Sequence, residues 1–589
     1  MSDHGHGQAH GEPTSFLWKY VFSVDHKVIG IQYLITSFLF LLVGFSMMLL
    51  MRYQLAWPQP GADFDPENLG ALRGFIAWLF GETNMPYGYM DPAFYNQLGA
   101  MHGTIMIFLG VVPLGVAAFG NFVLPLQIGA DDMAFPRLNM SSYWVYLVGG
   151  IIMMSSFLAP GGAAQSGWTS YAPLSVVAPT GQTIWLIAMI FIITSSLLGS
   201  INFIVTTLNM RAKGMTLGRM PIFCWVQLVT AVLLLLAFPV LEAGAVLQLL
   251  DRVAGSSFYI PKDMMYGDTV FPRSGGGSPL LWQHLFWFLA HPEVYVLLLP
   301  AMGIVTEIIV TNTRKPVFGY KELVGSFLLI GALSFVVWAH HMFVSGMRTS
   351  IANLFVTTTM TISVPSVAIL TCLILSLRGA QIRFNTPMLF ALAFLPMFGI
   401  GGLTGLPLGF APTDLYLHDT YYVIGHFHYV VAPGSLAALL GGTYYWFPKM
   451  FGRKMNEPLG KVHFWGTLVG LNLVFFPMFF QGIWGMNRRL ADPTLRLHNM
   501  PVQGWSTVIL GGAILIAVSQ IPFVWNFFWS IWRGEKAGDN PWQSTTLEWA
   551  CPSPPPHGNF ATPPVVYRGP YEYSVPGRKA DYWPQTDAT

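Results

Sequence analysis

Ala290-His-Pro-Glu-Val-Tyr295 sits inside an apolar segment, Leu281 to Val310, long enough to cross a bilayer. A histidine, a carboxylic acid and a phenol within five positions are expensive in hydrocarbon, and by default they mark function. On a helix His291 and Tyr295 share one face, whereas Glu293 is turned about 200° from His291. One face can hold a metal ligand beside a redox-capable phenol, and another can hold a lone acid. The stretch reads as metal chemistry coupled to proton movement, and it sets the fold class: an all-α integral membrane protein.

The rest of the chain agrees. Hydrophobic residues make up 53% of the 589 and charged residues 10%, where a soluble domain carries about 25% charge. A net charge of +2 gives no case for nucleic acid. Cys224, Cys372 and Cys551 are far apart without CxxC spacing, so neither a disulfide framework nor a thiolate metal site follows. A cysteine-bound copper would have to lie on another chain.

Twelve segments have the length and apolarity of a span: 28–51, 97–118, 142–160, 183–208, 221–242, 279–310, 322–343, 354–377, 386–405, 420–447, 462–485 and 504–531. They divide the chain into an N-terminal tail (1–27), a twelve-helix domain (28–533) and a C-terminal tail (534–589). The first tail has no apolar core of its own and is not a cleaved signal peptide. Its His4, His6 and His10 read as solvated. Twelve spans put both termini on one side, and 20 of the 29 Lys and Arg fall there against nine on the other. The positive-inside rule places the termini in the cytoplasm. No internal repeat supports an inverted-repeat transporter.

Six histidines within spans carry metal-ligand logic: His102, His291, His340, His341, His426 and His428. His284 reads as a core residue. A single histidine in a span is usually a hydrogen-bonded core group, but six buried polar rings each need a partner. His426 and His428 are about 200° apart on a helix and point to opposite sides. They can each bind an iron, one on either side, and His102 is the remaining candidate to face one of them. One haem then has two axial histidines and the other has one, with an open face. His340 and His341 can join His291 in a three-histidine site that leaves a position for substrate, as suits copper or zinc.

These residues resemble the heme-copper oxygen reductase superfamily, catalytic subunit I, in its mitochondrial-like A-type branch, from about Lys19 to Tyr573. The motifs are Tyr95-Asn-Gln97…His102-Gly, Gly129-Ala-Asp-Asp-Met-Ala-Phe-Pro-Arg-Leu-Asn139, His291-Pro-Glu-Val-Tyr295, Trp338-Ala-His-His341, His418-Asp-Thr-Tyr-Tyr…His426-Phe-His428, and Arg488-Arg489. The tail Leu547-Glu-Trp…Pro552-Ser-Pro-Pro-Pro556 is similar too.

The resemblance implies His102 and His428 as ligands of a low-spin haem, haem A by family habit, and His426 as ligand of a high-spin haem. It implies His291, His340 and His341 as ligands of CuB, with Tyr295 covalently joined to His291. Arg488 and Arg489 would pair with haem propionates, Arg52 would lie near the low-spin haem edge, and Trp168 among the propionates. His418 and Asp419 would hold magnesium. Expected partners are a subunit II carrying CuA, subunit III and small subunits, with cytochrome c as donor, O2 as substrate, and a bacterial cytoplasmic (inner) membrane as setting. A proton path would start at Asp132 and pass Asn121, Asn139, Ser195, Ser196 and Asn202 to Glu293. Without the resemblance, those Asn and Ser residues read equally well as interhelical glue.

The chain also departs from the family. Val364-Pro-Ser366-Val-Ala-Ile369 replaces a segment that carries the second-channel lysine, and Ile369 can neither carry charge nor hydrogen-bond water. Reductive protons either take a rerouted path through Glu307, Thr306 and Thr359 or share the Asp132 route. Phe271-Pro-Arg-Ser-Gly-Gly-Gly-Ser278 lacks the family's donor-docking acids, and Gln54 stands where a cation-binding glutamate is usual. Of a quinol-site pattern aligned with Val43, Met47, Phe94 and Gln97, only Gln97 agrees, which favours cytochrome c. Three readings compete: a proton-pumping terminal oxidase, a nitric oxide reductase of the same superfamily, and a proton-coupled transporter. Tyr295 and three copper-type histidines favour the first. The transporter reading leaves His426 and His428 unexplained.

Overall fold

The computed structural model describes residues 15–58, 70–266, 269–270, 275–492 and 501–588. His4, His6 and His10, and residues 271–274 of the altered donor-side stretch, lie outside them. The membrane helices are α1 (His26–Ala56), α2 (Pro92–Ile128), α3 (Pro136–Leu158), α4 (Thr180–Asn209), α5 (Ile222–Val253), α6 (Pro279–Thr313), α7 (Tyr320–Ser334), α8 (Thr349–Leu377), α9 (Thr386–Gly409), α10 (Tyr421–Phe451), α11 (Glu457–Ile483) and α12 (Val502–Arg533). All but α7 are long and apolar enough to cross a bilayer. The chain is a multi-pass helical membrane bundle, as expected.

Most successive helices pack side by side, α3 packs on α1 and α4, and α12 returns to α1. Their outward faces keep Leu, Ile, Val and Phe exposed, since lipid solvates such faces as well as protein does. Two helices are internal. Of the most apolar 18-residue windows, that of α6 is 94% buried and that of α2 is 89%, against 33% for α8. These helices carry His291-Pro-Glu-Val-Tyr295 and His102, so the costly polar groups sit where no lipid reaches.

Three departures from regular winding flank the histidines. α2 widens into π-helical turns over Ile105–Val111 and Pro113–Ala118, directly after His102. α10 does so over Val431–Leu436, directly after His426 and His428. Pro113 and Pro433 lack the amide that a regular turn would use, which favours the wider winding. The third departure corrects the expected seventh span, 322–343. α7 stops at Ser334, and His340 and His341 follow on a separate 3₁₀ turn, Trp338–Met342. Tertiary partners override local propensity there: His341 stacks on Trp287 of α6, and His340 bonds Thr359 of α8.

The C-terminal residues pack onto one end of the bundle. Glu548, Trp549 and Tyr573 are buried, Arg314 at the end of α6 pairs with Asp581 at 2.8 Å, and Lys449 of α10 donates to the Cys551 carbonyl at 2.6 Å.

Candidate metal centre and proton path

His291 Nδ1 and His340 Nε2 each approach His341 Nε2, at 3.3 and 3.1 Å, and the three residues offer ligand atoms within 4.8 Å of one another. A proton shared by two of these nitrogens leaves the third lone pair unmatched, whereas one cation takes all three. Among the described residues this is the one group of three or more His, Cys, Asp or Glu side chains so arranged. The Trp287 ring lies parallel to His341 at 3.8 Å, and Thr359 Oγ1 holds His340 Nδ1 at 3.0 Å. Such outer contacts orient a ligand ring. Tyr295 lies 5.3 Å from His291 between ring centroids, on the shared face that the spacing predicts. His291 Nε2 is buried without a hydrogen-bond partner.

The other three histidines share a hydrogen-bond signature. Nδ1 donates to a backbone carbonyl in each: His102 to Gly44 at 2.8 Å, His426 to Gly401 at 2.8 Å, His428 to Ile424 at 2.9 Å. That fixes the tautomer with the Nε2 lone pair free, as a metal ligand requires. Buried histidines outside the set differ. His463 is bonded at both nitrogens, to Tyr444 and Gln520, and so is His26, to Asn121 and Asn559. Those rings are satisfied by protein and have no ligand capacity left. The donor set therefore fits two haems and one copper. His428 lies within electrostatic range of His102, and His426 of His340.

Cationic residues surround the same region. Arg52 is buried, donates to the Tyr421 hydroxyl at 3.1 Å, and keeps Nε without a partner. Arg488 pairs with Asp419 at 3.2 Å, and Arg489 reaches Thr169. Burial, with the adjacent Arg489, lowers Arg488 to about 10. Two neighbouring guanidinium groups against one half-exposed acid leave room for further anions, which propionates would meet. Trp168 packs edge-on to Trp287, linking this region to the His341 stack. His418 contacts Asp414 at 3.3 Å more closely than Asp419 at 4.0 Å. Asp414 is a residue the sequence reading did not single out; its position four before His418 was the available signal.

The polar residues between Asp132 and Glu293 divide into two sets. Asn121, Ser195 and Ser196 line a cavity together with Tyr33, Ser142 and Ser200, with room for about two waters. Neither Asp132 nor Glu293 lines it. Asn139 lies buried with both amide atoms unpartnered, and so is the Asn121 Oδ1. Asn202 takes a different part: its Oδ1 accepts from the Phe135 amide and its Nδ2 donates to the Phe135 carbonyl, clamping the loop that carries Asp132. Burial raises the Asp132 carboxyl above its ordinary range, against the pull of His26 and the Met133 amide. Glu293 is 2% exposed with no partner at either oxygen.

The residues expected for an altered second channel do not form one connected set of hydrogen bonds among the described residues. Thr359 is at the metal end, bonded to His340. Ile369 is buried, and Ser366 and Thr306 donate to their own helix carbonyls. Glu307, near the far end of α6, accepts from the Tyr571 hydroxyl at 2.6 Å. Gln54 accepts from the Met90 amide and Gln97 binds the Gly161–Ala163 turn, which gives both amides structural work.

A multi-pass helical bundle with a trihistidine cluster and three further Nε2-free histidines is that of a membrane metalloprotein. The model of the family described as "Cytochrome C and Quinol oxidase polypeptide I" matches residues 28–515, and the chain belongs to that family. It is the catalytic subunit of a terminal oxidase, with haems and copper as its cofactors and O2 as its substrate, working with other oxidase subunits. Among its relatives, cytochrome c oxidase subunit 1 of Synechocystis is 46% identical over 557 residues, covering 94% of this chain and 93% of that one. The alternative cytochrome c oxidase subunit 1 of Bradyrhizobium diazoefficiens is 42% identical over 586 residues, covering 97% and 94%. A solved structure described as a heme-copper terminal oxidase dimer shares the fold, with a TM-score of 0.68 at 17% identity over 87% of this chain and 85% of that one.

Proposed function

We propose that the chain takes electrons from cytochrome c through a CuA-bearing subunit II, reduces O2 to water, and moves protons outward across a bacterial cytoplasmic membrane, with both termini inside. Haem A is the proposed haem, and subunit III and small subunits are the further partners. The observation that carries this reading is the convergence of three imidazole nitrogens beside Tyr295.

His291, His340 and His341 would hold copper, His102 and His428 the low-spin iron, and His426 the high-spin iron. Bound there, these metals supply electron storage and a place for O2. The chain supplies the rest. Tyr295 is close enough to His291 to act with it as one redox unit, its phenol giving up a proton and an electron. Trp287 and Thr359 keep the copper-side rings aimed at one point. Arg52, Arg488 and Arg489 would neutralise propionates beside Trp168, and His418 with Asp419 and Asp414 would hold magnesium.

Asp132 would take up protons and pass them through the cavity lined by Asn121, Ser195 and Ser196 to Glu293. A buried carboxyl with no fixed partner can bind and release a proton without breaking a protein hydrogen bond. With Ile369 in place of an amine, the same route would serve chemistry as well as pumping.

Haem extraction and a reduced-minus-oxidised spectrum of the purified complex test the cofactors, and oxygen uptake with reduced cytochrome c against quinol tests the donor. The expected result is two haems, one copper in this subunit and uptake with cytochrome c. Turnover of nitric oxide with negligible oxygen uptake would overturn the reading.

A further inference from the structure

The C-terminal segment brings a second pair of buried acids to the Thr313 end of α6, and neither the metal centre nor the Asp132 route uses them. Glu307 is 1% exposed, and Glu548, in the short turn Leu547–Trp549, is 0% exposed. Glu307 Oε1 accepts from the Tyr571 hydroxyl at 2.6 Å and from the Phe223 amide at 3.3 Å. Phe223 is in the first turn of α5, so the carboxyl also faces the positive end of that helix. An O–H···O distance this short fits an ionised acceptor. Glu548 Oε1 accepts from the Gln127 amide at 3.0 Å, and Gln127 Oε1 accepts from Cys224 Sγ at 3.2 Å.

The remaining oxygens are the informative ones. Glu307 Oε2 and Glu548 Oε2 are both buried without a hydrogen-bond partner, and the two acids lie within electrostatic range of each other. Trp446 Nε1, buried and also unpartnered, faces Glu548. Other groups near the pair include Thr546, Lys449, Cys551, Cys224, Tyr445, Tyr571 and Tyr320. Lys449 is the cation among them, and its Nζ already donates to the carbonyls of Asp539, Cys551 and Pro552. Two ionised acids here would bury two like charges, each with a bare oxygen. One proton held by the pair removes one of the two like charges, and a water held between the acids and the Trp446 N–H would meet the bare oxygens.

We propose that Glu307 and Glu548 hold one proton between them, forming a proton-storing site where the C-terminal segment docks on α6. Burial raises the Glu548 carboxyl above its ordinary range, in the same sense. The site lies on the helix that carries His291, Glu293 and Tyr295. Glu307 is fourteen residues beyond Glu293, about 21 Å along the axis and about 40° around it, on nearly the same face. Glu307 gives that helix a second carboxyl besides Glu293. Loss of the proton sets two buried like charges against each other and loosens the C-terminal segment. The proposal does not depend on the ligand assignments above.

Infrared titration of the intact, cofactor-loaded complex tests it. We expect one neutral-acid carbonyl band that shifts in deuterium oxide, disappears as pH rises, and is lost in both Glu307→Gln and Glu548→Gln, while the Glu293 band persists. Protease access to residues 534–589 should rise with pH in the wild type and be independent of pH in the double Gln variant. Bands unchanged in both variants, or lost in only one, overturn a shared proton. So does a metal ion that co-purifies with the wild type and is missing from both variants, since a cation then bridges the acids. Should a variant fail to assemble, the wild-type titration decides alone, and the absence of any such pH-sensitive band overturns the proposal.

Discussion

At the residue scale the discriminating feature is which ring nitrogen is left over. Six histidines keep a nitrogen for a metal, and His26 and His463 do not. Sequence separates His291, His426 and His428 by spacing, yet spacing alone does not tell His102 from His463, because partner identity is a tertiary fact. Thr359→Val should leave the His340 ring free to turn, and copper retention in the purified complex should fall about 10–100-fold with the haem spectrum kept. Asp132→Asn tests the proton route. If chemistry and pumping share it, oxygen uptake should collapse together with pumping, and near-normal uptake would exclude the single-route reading. The same variant carries a stability signature. Burial holds the Asp132 carboxyl above its unfolded value, so its contribution is full below the unfolded value and is lost as pH rises through the folded one. Asp132→Asn should therefore flatten that part of the pH dependence of thermal unfolding in detergent.

At the element scale the hydrophobic segments are legible and their interruptions are not. Eleven long helices follow from apolar length. The split of the seventh segment does not, since Phe335–Val337 is apolar like its surroundings and the break is set by Trp287 and Thr359 on other helices. Helix contacts are partly legible through small residues. A Cβ on Gly470 of α11 would come within 2.9 Å of the Gly512 carbonyl of α12, and one on Gly512 within 3.0 Å of the Gly470 carbonyl. Gly470→Val should force these backbones apart and cost about 1–3 kcal/mol. A lower unfolding midpoint with unchanged haem absorbance is the expected result.

At the scale of the whole molecule, the C-terminal segment is part of the working structure. Asn559 accepts from Lys27 at 2.9 Å, shares a hydrogen bond with His26, and donates to the Ala130 carbonyl beside the Asp132 loop at 2.7 Å. Asn559→Ala should cost about 1–3 kcal/mol through the buried groups left unpaired, and stopped-flow proton uptake should slow with haem content unchanged. The amino-acid sequence by itself determined the membrane class, the placing of the 290–295 stretch within a span, and the pairing of His291 with Tyr295 on one face. Those follow from hydropathy and helical period, which are local. Only the tertiary structure decided that His340 and His341 leave their helix to meet His291, that Asn202 clamps a loop, and that Glu307 meets Glu548. Each of those depends on what a side chain finds opposite it, and a buried polar atom's partner can lie hundreds of residues away.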